Sequence, residues 1–228
     1  LQFFINLPAV QKVIWERFSK QFTEYYNVYR EGVIGYTKVG SRGVNQLSEL
    51  TDTTANPGLQ PYKYYVTIVD SCGSEHGSNI TEHTTIHLQS SIGTSGEVNL
   101  VWTSYSGRTP LYYRIYRKAA SDSVFTTIDS VNLANNTYTD FNPPSGFTKY
   151  QIAAVMGSGC NSSNKTGVTT SLSNASTQNT VSLREDVMGI FVISPNPNNG
   201  YFRIQVDQEQ VGSTYRIVDF LGRTIETG

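Results

Sequence analysis

The chain has 228 residues, with 17 Lys and Arg against 18 Asp and Glu, so its formal net charge is −1. That balance excludes the basic surplus typical of a nucleic-acid binder, and no apolar run approaches the roughly 20 residues that cross a bilayer as a helix. Only 15% of residues are charged while Tyr reaches 15 and Gly 19, too aromatic for a disordered tail and too charge-poor for long helices. Composition therefore predicts a soluble, globular, β-rich chain of one to three domains.

The chain opens on Leu1-Gln2-Phe3-Phe4-Ile5-Asn6-Leu7, which lacks the positive start and long apolar core of a signal peptide. With no Met at position 1, a processed or cut N-terminus is expected, any export signal lying upstream. Further along, Val13-Ile14-Trp15 is followed after a short gap by Tyr25-Tyr26-Asn27-Val28-Tyr29-Arg30. The same order returns as Leu100-Val101-Trp102 and then Tyr112-Tyr113-Arg114-Ile115-Tyr116-Arg117. Trp15 and Trp102 stand 87 positions apart, as do Arg30 and Arg117. Asp52 and Asp140 are 88 apart, and Tyr64 and Tyr150 are 86 apart. A near-constant offset across four different features predicts two copies of one domain.

Each copy reads as all-β. Tyr26-x-Val28 and Tyr113-x-Ile115 alternate with period two, as does Tyr150-x-Ile152-x-Ala154, so each strand has one buried face. Asn56-Pro57-Gly58, Asn135-Asn136 and Asn142-Pro143-Pro144-Ser145-Gly146 supply turns. A unit of about 90 to 100 residues with seven short strands has the size and pattern of a β-sandwich.

These residues resemble a fibronectin type III domain, with its Trp on strand B, Tyr-x-aliphatic-Tyr-Arg on strand C, and a Pro leading to a Tyr on strand F (Pro144 and Tyr150). The resemblance implies an immunoglobulin-like sandwich for residues 1–90 and another for residues 91–172. It implies no single function, because such sandwiches carry many unrelated roles.

Ser173-Asn174-Ala175-Ser176-Thr177-Gln178-Asn179-Thr180 is small and polar, so residues 173–186 are expected to be a linker. Residues 187–193 then turn apolar and open a different unit over residues 187–228, in which Pro195-Asn196-Pro197 predicts a fixed extended turn between two strands. Pro195, Asn196, Pro197, Gly200, Phe202 and Ile204, followed by Asp219, Gly222 and Arg223, resemble the C-terminal sorting domain of type IX secretion cargo in Gram-negative bacteria. That resemblance implies a small, partial sandwich. It further implies a secreted or outer-membrane-surface location, with the type IX secretion machinery as partner. The family's closing hairpin does not follow before Gly228, so a truncated domain is expected. Asp70-Ser71-Cys72-Gly73 and His83-Thr84-Thr85-Ile86-His87-Leu88 also match the connector between modules of such cargo.

Candidate chemistry is sparse. His83 and His87 sit four apart in a β-branched stretch, which as a strand separates them by about 13 Å, too far to share a zinc ion; His76, His83 and His87 are expected at the surface or module junction, with no metal and no cofactor. Asp70-Ser71-Cys72-Gly73 lacks a paired base and reads as a turn leaving strand F, so no catalytic residue and no enzyme activity are expected. Cys72 and Cys160, each placed after strand F of its copy, should lie a domain length apart and unbonded to each other. Asn79-Ile80-Thr81 and Asn174-Ala175-Ser176 are expected to mark exposed loops. Tyr25, Tyr29, Tyr112 and Tyr116 should point outward from strand C and pair across strands on an open sheet face, the alternative being a binding surface for a protein or glycan ligand.

Overall fold

The computed structural model describes residues 2–7, 10–16, 22–77, 81–162, 165–180, 192–194, 203–205, 216–218 and 223–227. Among the described residues there is no helix. The first module comprises β1 (Gln2–Leu7), β2 (Val10–Trp15), β3 (Thr23–Gly32), β4 (Gly35–Gly43), β5 (Glu49–Asp52), β6 (Lys63–Asp70), β7 (Glu75–His76) and β8 (His83–Thr84). The second comprises β9 (Leu88–Ile92), β10 (Val98–Trp102), β11 (Tyr112–Ala119), β12 (Thr126–Val131), β13 (Thr137–Asp140), β14 (Gly146–Ser162), β15 (Lys165–Leu172) and β16 (Ser176–Thr180).

Each module packs a three-stranded sheet against a larger one. The orders are β1-β2-β5 and β4-β3-β6-β7 in the first, with β8 also pairing β6. In the second they are β9-β10-β13 and β12-β11-β14-β15, with β16 also pairing β14. All pairs are antiparallel, and the two modules share one connectivity, that of a fibronectin type III-like sandwich.

Period-two alternation fills the space between sheets. Val13 and Trp15 on β2, Tyr26 and Val28 on β3, and Tyr64 on β6 are buried. Leu100 and Trp102, Tyr113 and Ile115, and Tyr150, Ile152 and Ala154 repeat the arrangement. Trp15 lies 5.6 Å from Tyr26 at 59°, and Trp102 lies 5.7 Å from Tyr113 at 71°, both in the tilted geometry that aromatic quadrupoles favour.

The offsets of Arg, Asp and Tyr in the sequence mark a second shared device. Asp52 Oδ2 accepts from Arg30 Nη1 at 2.7 Å and from the Tyr64 hydroxyl at 3.0 Å. Asp140 Oδ2 accepts from Arg117 Nη1 at 2.7 Å and from the Tyr150 hydroxyl at 2.8 Å. The other carboxylate oxygen takes the amide of Thr54 in one copy and Asn142 in the other. Burial, with the adjacent aspartate, holds both phenols well above their usual range. Pro61 stands closer to Tyr64 than Pro144 does to Tyr150, yet Tyr64 and Tyr150 reach equivalent carboxylates.

Two boundaries differ from the sequence reading. The break expected between residues 90 and 91 falls inside β9, because the second module begins its first strand at Leu88. Residues 173–180 are not a linker: β16 pairs with β14 from Gly146↔Thr180 to Tyr150↔Ser176. Small polar residues are poor evidence of a linker when their backbone lies beside an open strand edge. Ser173 and Asn174 are buried there, so the Asn174-Ala175-Ser176 sequon is not an exposed loop; Asn79 and Ile80 lie outside the described residues.

Residues 1–182 form one compact unit and residues 183–228 another. In the second, β17 (Val192–Ser194) pairs with β18 (Arg203–Gln205), and β19 (Arg216–Val218) pairs with β20 (Thr224–Thr227).

Candidate binding surfaces

The module junction is built from the connector. Thr84 bridges to Ser106, the Thr85 amide donates to the Tyr62 carbonyl at 2.9 Å, and the His87 amide donates to Thr103 Oγ1 at 2.8 Å. His83 is 2% exposed, and its Nδ1 lies 2.6 Å from the Tyr105 hydroxyl. Desolvation, with the positive charge of Arg108 adding to it, pulls the His83 pKa down to about 4. His87 is also buried, its Nδ1 3.0 Å from the Pro57 carbonyl. Ile86, Leu88 and Tyr105 belong to the same contiguous apolar core as the interiors of both sandwiches.

The connector histidines therefore lie at the junction and bond to different partners, while His76 is exposed and meets Asp70 Oδ2 at 2.7 Å. Gly107, at φ +101°, closes the same corner, where a Cβ would stand 2.5 Å from the Glu82 carbonyl.

The edge of β9 is closed by side chains. Asn174 accepts from the Leu88 amide at 2.7 Å and donates to the Leu88 carbonyl at 2.9 Å, so one amide takes the place of a paired strand residue. Gln178 Nε2 donates to the Ser90 carbonyl at 2.8 Å. A cleft of about 760 Å³ opens beside this seam, lined by Leu59, His87, Gln89, Asn99, Val101 and Asn174 among others. Its described walls hold amides, the hydroxyls of Ser90, Ser91, Ser176 and Thr177, and His87, whose Nδ1 is engaged by the Pro57 carbonyl.

The strand-C tyrosines lie where alternation places them, opposite the buried Tyr26, Val28, Tyr113 and Ile115. Tyr25, Tyr29, Tyr112 and Tyr116 are each half-buried. On the first module, Tyr29 stacks on its cross-strand partner Tyr65 at 4.9 Å, and Tyr36 meets Tyr65 edge-on at 4.6 Å. Glu75 accepts from the Tyr29 hydroxyl at 2.9 Å and from Asn27 Nδ2 at 3.1 Å, and also from the Thr67 hydroxyl. Those hydrogen bonds, Thr67's first, hold its carboxyl below the usual range. Beside them Tyr36 donates to Glu82 at 2.6 Å, and Lys63 pairs with Glu31 at 3.1 Å.

The second module's face has other chemistry. Arg114 replaces Asn27 at the repeat offset, and donates to Tyr112 at 2.7 Å and more weakly to Tyr116 at 3.4 Å. Its guanidinium also lies 5.6 Å from the Tyr112 ring centre. Lys118 replaces Glu31 and stands directly across from Lys149, in the place where Glu31 meets Lys63 in the first module. The sequence reading missed these cations, although aligning the copies at the offset of 87 exposes the Glu31 to Lys118 change.

Cys72 is a free, exposed thiol after β6. Cys160 falls within β14, in register with Val168, and not after strand F as expected. Its strand is longer than its counterpart β6, which stops at Asp70. No group of three or more His, Cys, Asp or Glu among the described residues is placed to hold a metal ion, and no helix among them is long and apolar enough to cross a membrane.

Of the sorting-motif residues, Ile204 is in β18, opposite Ile193, and Arg223 is exposed just before β20. Pro195, Asn196, Pro197, Gly200, Phe202, Asp219 and Gly222 lie outside the described residues.

Comparison with solved structures finds fibronectin type III segments among the matches. A two-module fibronectin type III segment of chicken tenascin aligns at 12% identity over 79% of this chain and 98% of that one, with a TM-score of 0.31. The FN1-FN3 domains of chicken CNTN1 align at 13% over 78% of this chain and 63% of that one, with a TM-score of 0.34. The chicken interferon gamma receptor alpha chain aligns at 8% over 79% and 97%, with a TM-score of 0.31. The fold assignment rests on the strand order of each module and not on these superpositions. No family model matches the sequence, and no curated protein matches it.

Proposed function

We propose that residues 1–182 are a non-catalytic spacer and interaction region of a secreted or outer-membrane-surface bacterial protein, and that residues 187–228 carry its type IX sorting segment. The observation that carries this reading is the division of the chain into a pair of sandwiches sharing one core and a separate C-terminal unit. A fixed pair presents its sheet faces at a set spacing, which suits a spacer, and a self-contained tail can be handled by export machinery on its own. The Pro195 to Arg223 sequence pattern supports the sorting assignment, and β17 pairs with β18 within the same stretch.

The test is localisation in the native cells. Fractionation with surface proteolysis should find the protein outside the cell, and deleting residues 187–228 should leave it in the periplasm. Recovery of the intact protein in the cytoplasm, or export that survives the deletion, overturns the proposal.

A second reading, adhesion or glycan binding through the tyrosine faces, draws on the half-exposed Tyr112 and Tyr116. The first module favours it less, because Tyr29 is already stacked on Tyr65 and bonded to Glu75.

A further inference from the structure

We infer that the outer face of the β11–β14 sheet is a binding site for an acidic, uronate-bearing polysaccharide, read by Arg114, Lys118 and Lys149 with Tyr112 and Tyr116 as ring platforms. This rests on the interaction half of the reading above and is independent of the secretion half.

Tyr112, Arg114, Tyr116 and Lys118 occupy alternate positions on β11 and therefore share one face. Lys149 joins them from β14 as the cross-strand partner of Lys118. Like charges directly opposite one another destabilise a sheet. The first module avoids that cost at the same place with the Lys63–Glu31 pair. Arg114, Lys118 and Lys149 have no carboxylate partner among the described residues, unlike Arg117, which pairs with Asp140. Among the described residues, Lys118 donates to the Ser123 carbonyl, at 3.1 Å. A local rule broken without a visible compensating contact is the mark of a functional position.

Arg114 is held in place for a ligand. Two of its five N–H donors go to the flanking tyrosines, which fix the guanidinium and leave three donors for a carboxylate. Along β11, Arg114 and Lys118 are about 13 Å apart, from roughly 3.3 Å per residue. A linear chain with a carboxylate on successive rings can meet both charges and lay the apolar faces of its sugars on Tyr112 and Tyr116. An acidic protein fits less well. A protein partner buries its anchors in well-packed, fully desolvated pockets, whereas Tyr112 and Tyr116 lie half-exposed on an open strand face. Nucleic acid is disfavoured by the chain's net charge of −1.

The test uses the full chain and immobilised polygalacturonate at about 0.15 M salt, where loose surface charge effects are largely screened. Fully methyl-esterified polygalacturonate and oligo-dT serve as comparison probes. Wild type should bind polygalacturonate, with both comparison probes at least about tenfold weaker. Arg114→Asn and Lys118→Glu, which install the first module's residues, should each lower affinity about tenfold or more. Glu31→Lys should leave it unchanged. Melting curves keep the variants interpretable, since Lys118→Glu removes a repulsion and should not lower Tm.

Failure of wild type to bind polygalacturonate overturns the inference. So does equal binding of the methyl ester, equal or tighter binding of oligo-dT, or undiminished binding by Lys118→Glu. None of these outcomes touches the localisation experiment.

Discussion

The outer sheet faces of the two modules start from the same strand pattern and end in opposite chemistry. In the first, a carboxylate sits at the centre: Glu75 gathers Tyr29, Asn27 and Thr67, and Glu31 neutralises Lys63. In the second, a guanidinium sits at the centre, the same tyrosine positions point their hydroxyls at it, and the neighbouring pair is Lys against Lys. The interiors, by contrast, are duplicates: Trp on Tyr, and Arg and Tyr on a buried Asp. Duplication preserves what the core needs. It leaves the face free to diverge, because exposed strand positions carry little of the packing energy.

The largest test concerns the shared interior. Asp52→Ala and Asp140→Ala each strand a buried tyrosine and an arginine, and each should cost about 3 kcal/mol, the low end for a broken buried pair because both arginines keep some solvent contact. Urea unfolding should show equal losses. Because the core is contiguous through the connector, both variants should lower one common transition. Two separated transitions, only one moving per variant, would make the modules independent.

Next comes the junction. Burial lowers the His83 pKa to about 4, so the unfolded chain accepts a proton at about 6.5 that the folded chain refuses. The stabilisation is complete above pH 6.5, is lost as pH falls toward 4, and amounts to about 3 kcal/mol at most. Asp70 and Glu75, whose pKa values are lowered from already acidic values, contribute only at the lower end of that window. Stability measured from pH 7 to 4.5 should therefore slope downward, and His83→Gln should flatten the slope.

Gly107→Ala is expected to cost about 2 kcal/mol, since the added Cβ meets the Glu82 carbonyl and the His83 ring at a positive φ. Calorimetry should show the loss, and Gly96→Ala, also at positive φ but with open space around its Cβ, should lose less. Smallest are the face swaps. Lys118→Glu should raise Tm slightly and Glu31→Lys should lower it slightly, each making one face resemble the other.

Much of this was legible in the sequence. The offset between copies and the inward tyrosines on β3 and β11 follow from side-chain spacing, and the junction role of the connector from the resemblance its residues carry. What misled was composition: Ser, Asn, Thr and Gln in residues 173–180 read as a linker, yet they close the edges of β9 and β14 through amides and hydroxyls. Polarity marks exposure only where no unpaired backbone lies within reach. The central charges of the two faces also escaped notice, because their meaning is relational: Lys118 is unremarkable until Lys149 is known to lie across from it.

The sequence alone determined that this chain is two copies of one β-sandwich with a different tail. That information is local, carried by period-two alternation and a repeated order of large residues. Only the tertiary structure decided that the copies share one core, that His83 is buried, and that one face is neutralised while the other keeps its charge. Those properties depend on cross-strand register, which brings together residues up to 88 positions apart such as Ser90 and Gln178, and no local pattern encodes which side chains then meet.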